Sequence, residues 1–284
     1  MIRIIDTVSQ INSLFENQCF NINKWEQYIN SVLPNSSHIF KDDLNNYFTD
    51  GSCSFEKDFL PIINAVYGNP KMDCLHQSFT SVVNDLNNKI LSRFGSELDV
   101  DIVLYLGLCN AAGWATEING KDVILLGVEK ILELDWCDAC DMHGLIYHEL
   151  GHIYHKQFGM YDQTCENSQK TFIWQLFKEG FAMYFEQCLV NDFDYFHQDK
   201  NGWKQWCDQN LHQIITDFNN DLPTMNRQNQ RYFGDTVNYH GYGDVGYYLG
   251  TRFVQYLAER YGIEEIIKFD IDIIFDHYMA FITR

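Results

Sequence analysis

The sequence predicts an α+β fold that is mostly helical, with a small sheet set beside a pair of long helices and a helical region ahead of it. Three observations predict it. Apolar residues recur at three- and four-residue intervals through most of the chain, the mark of helices with one buried face. The pattern changes between residues 99 and 127, where short runs rich in Val, Ile, Leu and Tyr have the composition of strands. Apolar residues make up 46% and aromatics 15% of 284 residues, which is an ordered globular composition with material for a sizeable core.

The elements follow in order. Helical periodicity marks residues 22–33, 54–66 and 76–95, with Pro34-Asn35 and Asp50-Gly51 as punctuation. Residues 99–108 (DVDIVLYLGL) and 122–127 (DVILLG) read as strands. Asn119-Gly120 between two extended stretches is a turn signal, so residues 99–127 form a small sheet with one strand at an edge. Helices are expected at about 139–157, 168–190, 201–218 and 243–261, the last with Gly262 as its C-cap. The tail FDIDIIFDHYMAFITR fits strand or helix. The domain reading is an N-terminal helical region over residues 1–97, a candidate cap, and a second domain over residues 98–284.

A net charge of −19 argues against nucleic acid and anionic membrane as partners, since both call for a basic surface. No apolar run approaches bilayer length, and the N-terminus has no export-signal pattern. The nine cysteines then read as reduced thiols of a cytoplasmic protein. The Cys137/Cys140 pair in WCDAC lacks a second pair to complete a zinc site and is read as structural or as a chance spacing.

The stretch LIYHELGHIYHKQFG, residues 145–159, carries the chemistry. On a helix His148 and His152 lie about 40° apart and one turn apart along the axis, so both imidazoles reach one ion. Glu149 is rotated by about 100° from His148 and reaches a water beside the ion rather than the ion itself. This is the HExxH arrangement, two imidazoles holding Zn2+ and a glutamate that takes a proton from water. Leu145, Ile146, Leu150 and Ile153 surround the motif, so its polar groups are buried and need a partner. Gly151 in mid-helix costs on the order of 1 kcal/mol against alanine, which points to close approach of substrate or of another helix. His155 is too far along the axis to share the ion and is assigned to its surroundings or to the surface. Phe158 stands where the metzincin pattern has its third histidine.

A catalytic zinc needs a third protein ligand and an open position. The next helix offers Glu179 in QLFKEGFAMYFEQ, among Leu176, Phe177, Phe181 and Phe185, with Gly180 and Ala182 small enough for close packing against the HExxH helix. A carboxylate in such surroundings calls for a cation. Glu186, about two turns on, is the second choice, as a ligand or as a carboxylate that orients a ligand histidine.

HELGH followed by EGFA on the next helix resembles the gluzincin metallopeptidases, the HExxH…E superfamily. The stretch LGLCNAAGWATEINGKDVILLGVEKILEL before LIYHELGH is similar to a group of uncharacterised predicted Zn-dependent proteases. The likeness covers roughly residues 100–262. Two features depart from the best-known members: the wider spacing between motifs, and Met183 where an aspartate often stands. The resemblance implies a zincin-like catalytic domain over residues 98–284, one zinc ion held by His148, His152 and Glu179, and hydrolysis of peptide bonds with Glu149 as general base. It also implies that YYLG, Tyr247 to Gly250, supplies the oxyanion donor through Tyr247. Tyr248, Tyr242 and His240 are neighbouring alternatives. AAGWATE sits where gluzincins place the edge strand that pairs with substrate backbone, which makes Gly113, Trp114 and Ala115 substrate-binding. The rival expectations are a metallo-hydrolase of non-peptide substrates and a non-catalytic protein that holds zinc.

Overall fold

The computed structural model describes residues 1–46, 48, 53–165, 167–234 and 237–284. The chain is α+β and mostly helical, as the sequence predicts. It divides into two compact units, residues 1–149 and 150–284.

The first unit is built on a four-stranded sheet in the order β1-β4-β6-β5, formed by β1 (Arg3–Asp6), β4 (Asp101–Tyr105), β5 (Gly113–Ile118) and β6 (Lys121–Gly127). A two-stranded ribbon pairs β2 (Phe15–Glu16) with β3 (Cys19–Phe20). β1, β4 and β6 run parallel, and β5 is antiparallel to β6. Every residue of β4 is buried, and after Asp101, which accepts from Arg3, this central strand is apolar, as a strand covered on both faces is. Asn119 and Gly120 both have positive φ, 54° and 76°, the two left-handed positions of a tight hairpin turn. That turn sets the register and leaves β5 at the edge.

The helices of this unit are α1 (Val8–Ile11), α2 (Ile22–Val32), α3 (Ser37–Asn46), α4 (Leu60–Asn64), α5 (Met72–Val83), α6 (Leu86–Phe94) and α7 (Val128–Glu133). α2 ends ahead of Pro34. The buried Trp25 of α2 donates its indole N–H to the Leu106 carbonyl at 2.8 Å, fixing the helix to the end of β4. The stretch expected as one helix over 54–66 is a π turn, Phe55–Phe59, followed by α4; Pro61 has no N–H to continue an α ladder. The stretch 76–95 is split between α5 and α6 at Asn84-Asp85, residues whose side chains compete for backbone hydrogen bonds. The Asp50-Gly51 turn lies outside the described residues.

Two features describe how the chain is divided. β1, from the first residues of the chain, pairs with β4, so the N-terminal region is joined to the sheet. The boundary between the two compact units falls at Glu149/Leu150, inside α8 (Ala139–Phe158).

The second unit holds α9 (Ser168–Val190), α10 (Trp203–Asp221), α11 (Val245–Ala258), α12 (Ile263–Ile266) and α13 (Ile271–Phe281). α9 is capped by Asn167, whose side chain accepts from the Lys170 N–H, and stopped by Asn191 at φ 62°. It is apolar around most of its circumference, as a central helix must be. A Cβ on Gly180 would lie 2.1 Å from the backbone of Gly250, so α9 and α11 meet backbone to backbone. The ambiguous tail is the helix α13, capped by Asp270. Gly262 is not the C-cap of α11; it is the N-cap of α12. Among the described residues no helix is long and apolar enough to cross a membrane. The cysteines are thiols rather than disulfides, Cys137 buried and Cys140 exposed.

Candidate metal centre

α8 is one continuous helix that buries Leu145, Ile146, Leu150 and Ile153. A helix so placed carries its polar side chains inward, and His148 and Glu149 are both buried. Gly151 explains itself in the second unit: a Cβ there would lie 2.7 Å from the Cα of Ala182. Of the two reasons its position in mid-helix suggests, the structure gives the second, the approach of α9. Gly180, expected to serve the same contact, instead meets Gly250 of α11.

That approach brings Glu179 to the histidines. Its Oε2 lies 3.2 Å from His152 Nε2, and the two side chains are 17% and 11% exposed. One donor atom from each of His148, His152 and Glu179 can be chosen so that all lie within 4.8 Å of one another. Two ligands bound at about 2.1 Å at tetrahedral angles stand roughly 3.4 Å apart. The His152–Glu179 separation matches that edge, and two imidazoles with one carboxylate are a zinc donor set. The residues therefore fit the ion that the motif implies.

Glu149, next to His148 in the helix, reaches the sheet of the first unit. Its Oε2 accepts the Ala115 N–H of β5 at 2.9 Å. A Cβ on Gly113 would stand 2.5 Å from Leu145 Cδ1 and 3.0 Å from Glu149 Oε1, so the bare backbone at 113 is what lets the carboxylate lie along the strand. Gly113 and Ala115 thus belong to the edge strand and touch Glu149. Trp114, between them, packs its ring edge-on against Phe40 at 6.2 Å.

Tyr247 is in the first turn of α11, half-buried, with its ring 6.1 Å from that of Phe233. The alternatives are engaged elsewhere. The Tyr248 hydroxyl donates to Asp208. Tyr242 stacks on Trp206 at 4.5 Å, and His240 is more than half exposed, 3.9 Å from Asp217. Burial opposes ionisation of Asp208, yet hydrogen bonds from Lys204, Tyr248 and Arg252 bring its pKa down to about 2.

Three groups escape sequence reasoning wholly or in part. Glu186 is fully buried, and both its oxygens face His197 Nδ1, at 3.1 and 2.9 Å. A carboxylate only accepts, so Nδ1 carries the hydrogen. The spacing of Glu186 from Glu179 marks it in the sequence; nothing marks His197. His155, read as a neighbour of the ion or a surface group, is fully buried among Tyr161, Trp174, Phe177 and Phe181. Burial, with His152 and Lys178 adding, pushes its pKa down to about 3. The Ile267 carbonyl pulls weakly the other way, but neither ring nitrogen has a hydrogen-bond partner. Glu129 is a buried carboxylate that accepts the N–H groups of Gly107 and Cys109 at 2.9 and 3.0 Å and pins the loop leading toward β5. Burial raises its pKa to about 7 against those hydrogen bonds.

Compared with known proteins, the chain matches no family model, no curated protein and no solved structure.

Proposed function

We propose that this chain is a zinc-dependent hydrolase of peptide bonds, of the HExxH…E type that the sequence resembles. The observation that carries the reading is the convergence of His148, His152 and Glu179 within 4.8 Å, with Glu149 beside them in the helix and hydrogen-bonded to an edge strand. His148, His152 and Glu179 hold the ion. When bound, Zn2+ supplies Lewis acidity that polarises a carbonyl and lowers the pKa of water.

The remaining work belongs to the chain. Glu149 takes the proton of the attacking water and passes it to the leaving amine. The backbone at Gly113 to Ala115 aligns an extended substrate by strand addition. Tyr247 donates its O–H to the developing oxyanion. The substrates are not polyanions, given the net charge of −19, and cysteines present as thiols rather than disulfides fit a reducing, cytoplasmic setting.

The test is Glu149→Gln in the full chain, assayed on a panel of peptides and of non-peptide amides and esters. Removal of a general base predicts a roughly 10²- to 10⁴-fold drop in kcat with zinc content unchanged. Turnover that survives the substitution would refute the reading. Turnover confined to non-peptide compounds would move the substrate class and leave the site in place.

A further inference from the structure

The edge of β5 presents two kinds of backbone group. Gly127 N–H bonds the Ala112 carbonyl at 3.1 Å, and Ile118 faces Lys121 across the turn. With antiparallel alternation, Trp114, Thr116 and Ile118 direct their N–H and C=O toward β6, while Gly113, Ala115 and Glu117 direct theirs away from it. The outward N–H of Ala115 is the group that an added strand would use first, and here it goes to Glu149 Oε2 at 2.9 Å. A Cβ at residue 113 would stand 3.0 Å from the Oε1 of that carboxylate, so the bare backbone there eases its fit against the strand. One donor therefore serves two acceptors that cannot hold it together.

We propose that Ala115 N–H holds Glu149 against β5 in the resting chain and passes that hydrogen bond to a backbone carbonyl of an extended polypeptide laid along the strand, so that extended segments alone release the carboxylate. The inference rests on the peptidase reading and names its substrate class: unfolded or extended polypeptide, as opposed to folded surfaces and small amides. Specificity then lies in the backbone at position 115, which no side-chain substitution at that residue would alter directly.

The experiment follows amide hydrogen exchange at Ala115 in the full chain labelled with 15N-alanine, under chelator so that no hydrolysis intervenes. Three probes are added in turn: reduced and carboxymethylated ribonuclease as an unfolded polypeptide, native ribonuclease, and N-acetylalanine amide. Without probe, exchange at Ala115 is expected to be at least about tenfold slower in the wild type than in Glu149→Ala, as loss of a hydrogen bond to a charged group implies. Gly113→Ala, whose methyl would stand 2.5 Å from Leu145 Cδ1 and 3.0 Å from Glu149 Oε1 and so crowds the carboxylate against the strand, should speed exchange in the same direction. The unfolded polypeptide should restore slow exchange to Glu149→Ala, and the other two probes should not. Equal exchange in wild type and Glu149→Ala would overturn the proposal. So would protection by native ribonuclease or the small amide equal to that by the unfolded chain, or no protection by the unfolded chain. Zinc content and hydrolysis, measured separately without chelator, judge the peptidase reading: a chain that shows the exchange pattern and cleaves nothing loses that reading and keeps this one.

Discussion

Glu179 and Glu186 stand on the same helix, about two turns apart and on nearly the same face, yet their surroundings differ in kind. Glu179 keeps 17% of its side chain exposed and meets His152 at 3.2 Å, with His148 within the same 4.8 Å group. Glu186 is fully buried and gives both oxygens to one imidazole nitrogen of His197. Both oxygens of Glu186 are taken up by that one nitrogen, so a single donor serves the carboxylate in the described residues. The Glu179 group gathers two imidazoles and a carboxylate, one donor atom of each within 4.8 Å of the others, a set that suits a cation. The difference teaches that burial of an acid in an apolar helix does not identify a ligand. The number of donors that converge on it does.

The contrast can be broken first at Glu186. Replacing it with alanine leaves the His197 Nδ1 hydrogen without this acceptor, which costs about 1–3 kcal/mol, and should leave zinc content unchanged; chemical denaturation with metal analysis checks both. Glu186→Gln, which keeps an acceptor, should cost less. Zinc lost together with Glu186 would erase the distinction.

His155 sharpens it from the side of the histidines. Folded, it stays neutral down to about pH 3, whereas an unfolded histidine titrates near 6.5. The unfolded state therefore binds the extra proton, and stability falls as pH drops from about 6.5 toward 3, by about 3 kcal/mol at pH 4. Glu129 works in the opposite sense. Its folded pKa of about 7 exceeds the unfolded value of roughly 4.3, so the folded state binds the extra proton and its contribution to stability falls as pH rises from about 4.3 to 7. Hydrogen exchange by mass spectrometry across pH 4–8 should show acid loosening residues 150–284 in wild type but not in His155→Phe. Rising pH should loosen the loop at Gly107–Cys109 in the first unit. A flat response at either place contradicts the corresponding burial argument.

A smaller effect is expected at Gly151. Gly151→Ala sets a methyl group against Ala182, and overpacking of this kind costs about 1–3 kcal/mol. Because the same contact brings Glu179 to the histidines, the variant should also bind zinc more weakly. An unchanged zinc affinity would separate helix approach from ligand placement.

Much of this arrangement was legible in the sequence, and the reasons are specific. α8 and α9 announced themselves by long periodic patterns, and the β5–β6 hairpin by Asn119-Gly120, whose two left-handed residues few other pairs supply. His148 and His152 were legible because helical spacing converts directly into geometry, and Glu179, on the next helix, because a carboxylate stood among apolar neighbours. β1 was not, since a four-residue strand whose pairing partner lies almost a hundred residues away leaves no local period. His197 was hidden for the same reason: its partnership with Glu186 is made by a loop. Ala115 was legible as an edge residue, but its bond to Glu149 depends on how a helix meets a strand, which no spacing encodes.

The most direct measurement of the central claim is zinc stoichiometry, by elemental analysis, of the full chain purified without added metal, beside Glu179→Ala at matched stability. The account predicts close to one zinc per wild-type chain and an affinity at least about 100-fold weaker in the variant, more than the 10- to 100-fold typical of groups that only orient a ligand. A wild-type chain free of zinc after careful handling, or a Glu179→Ala chain that retains it at full affinity, would contradict it.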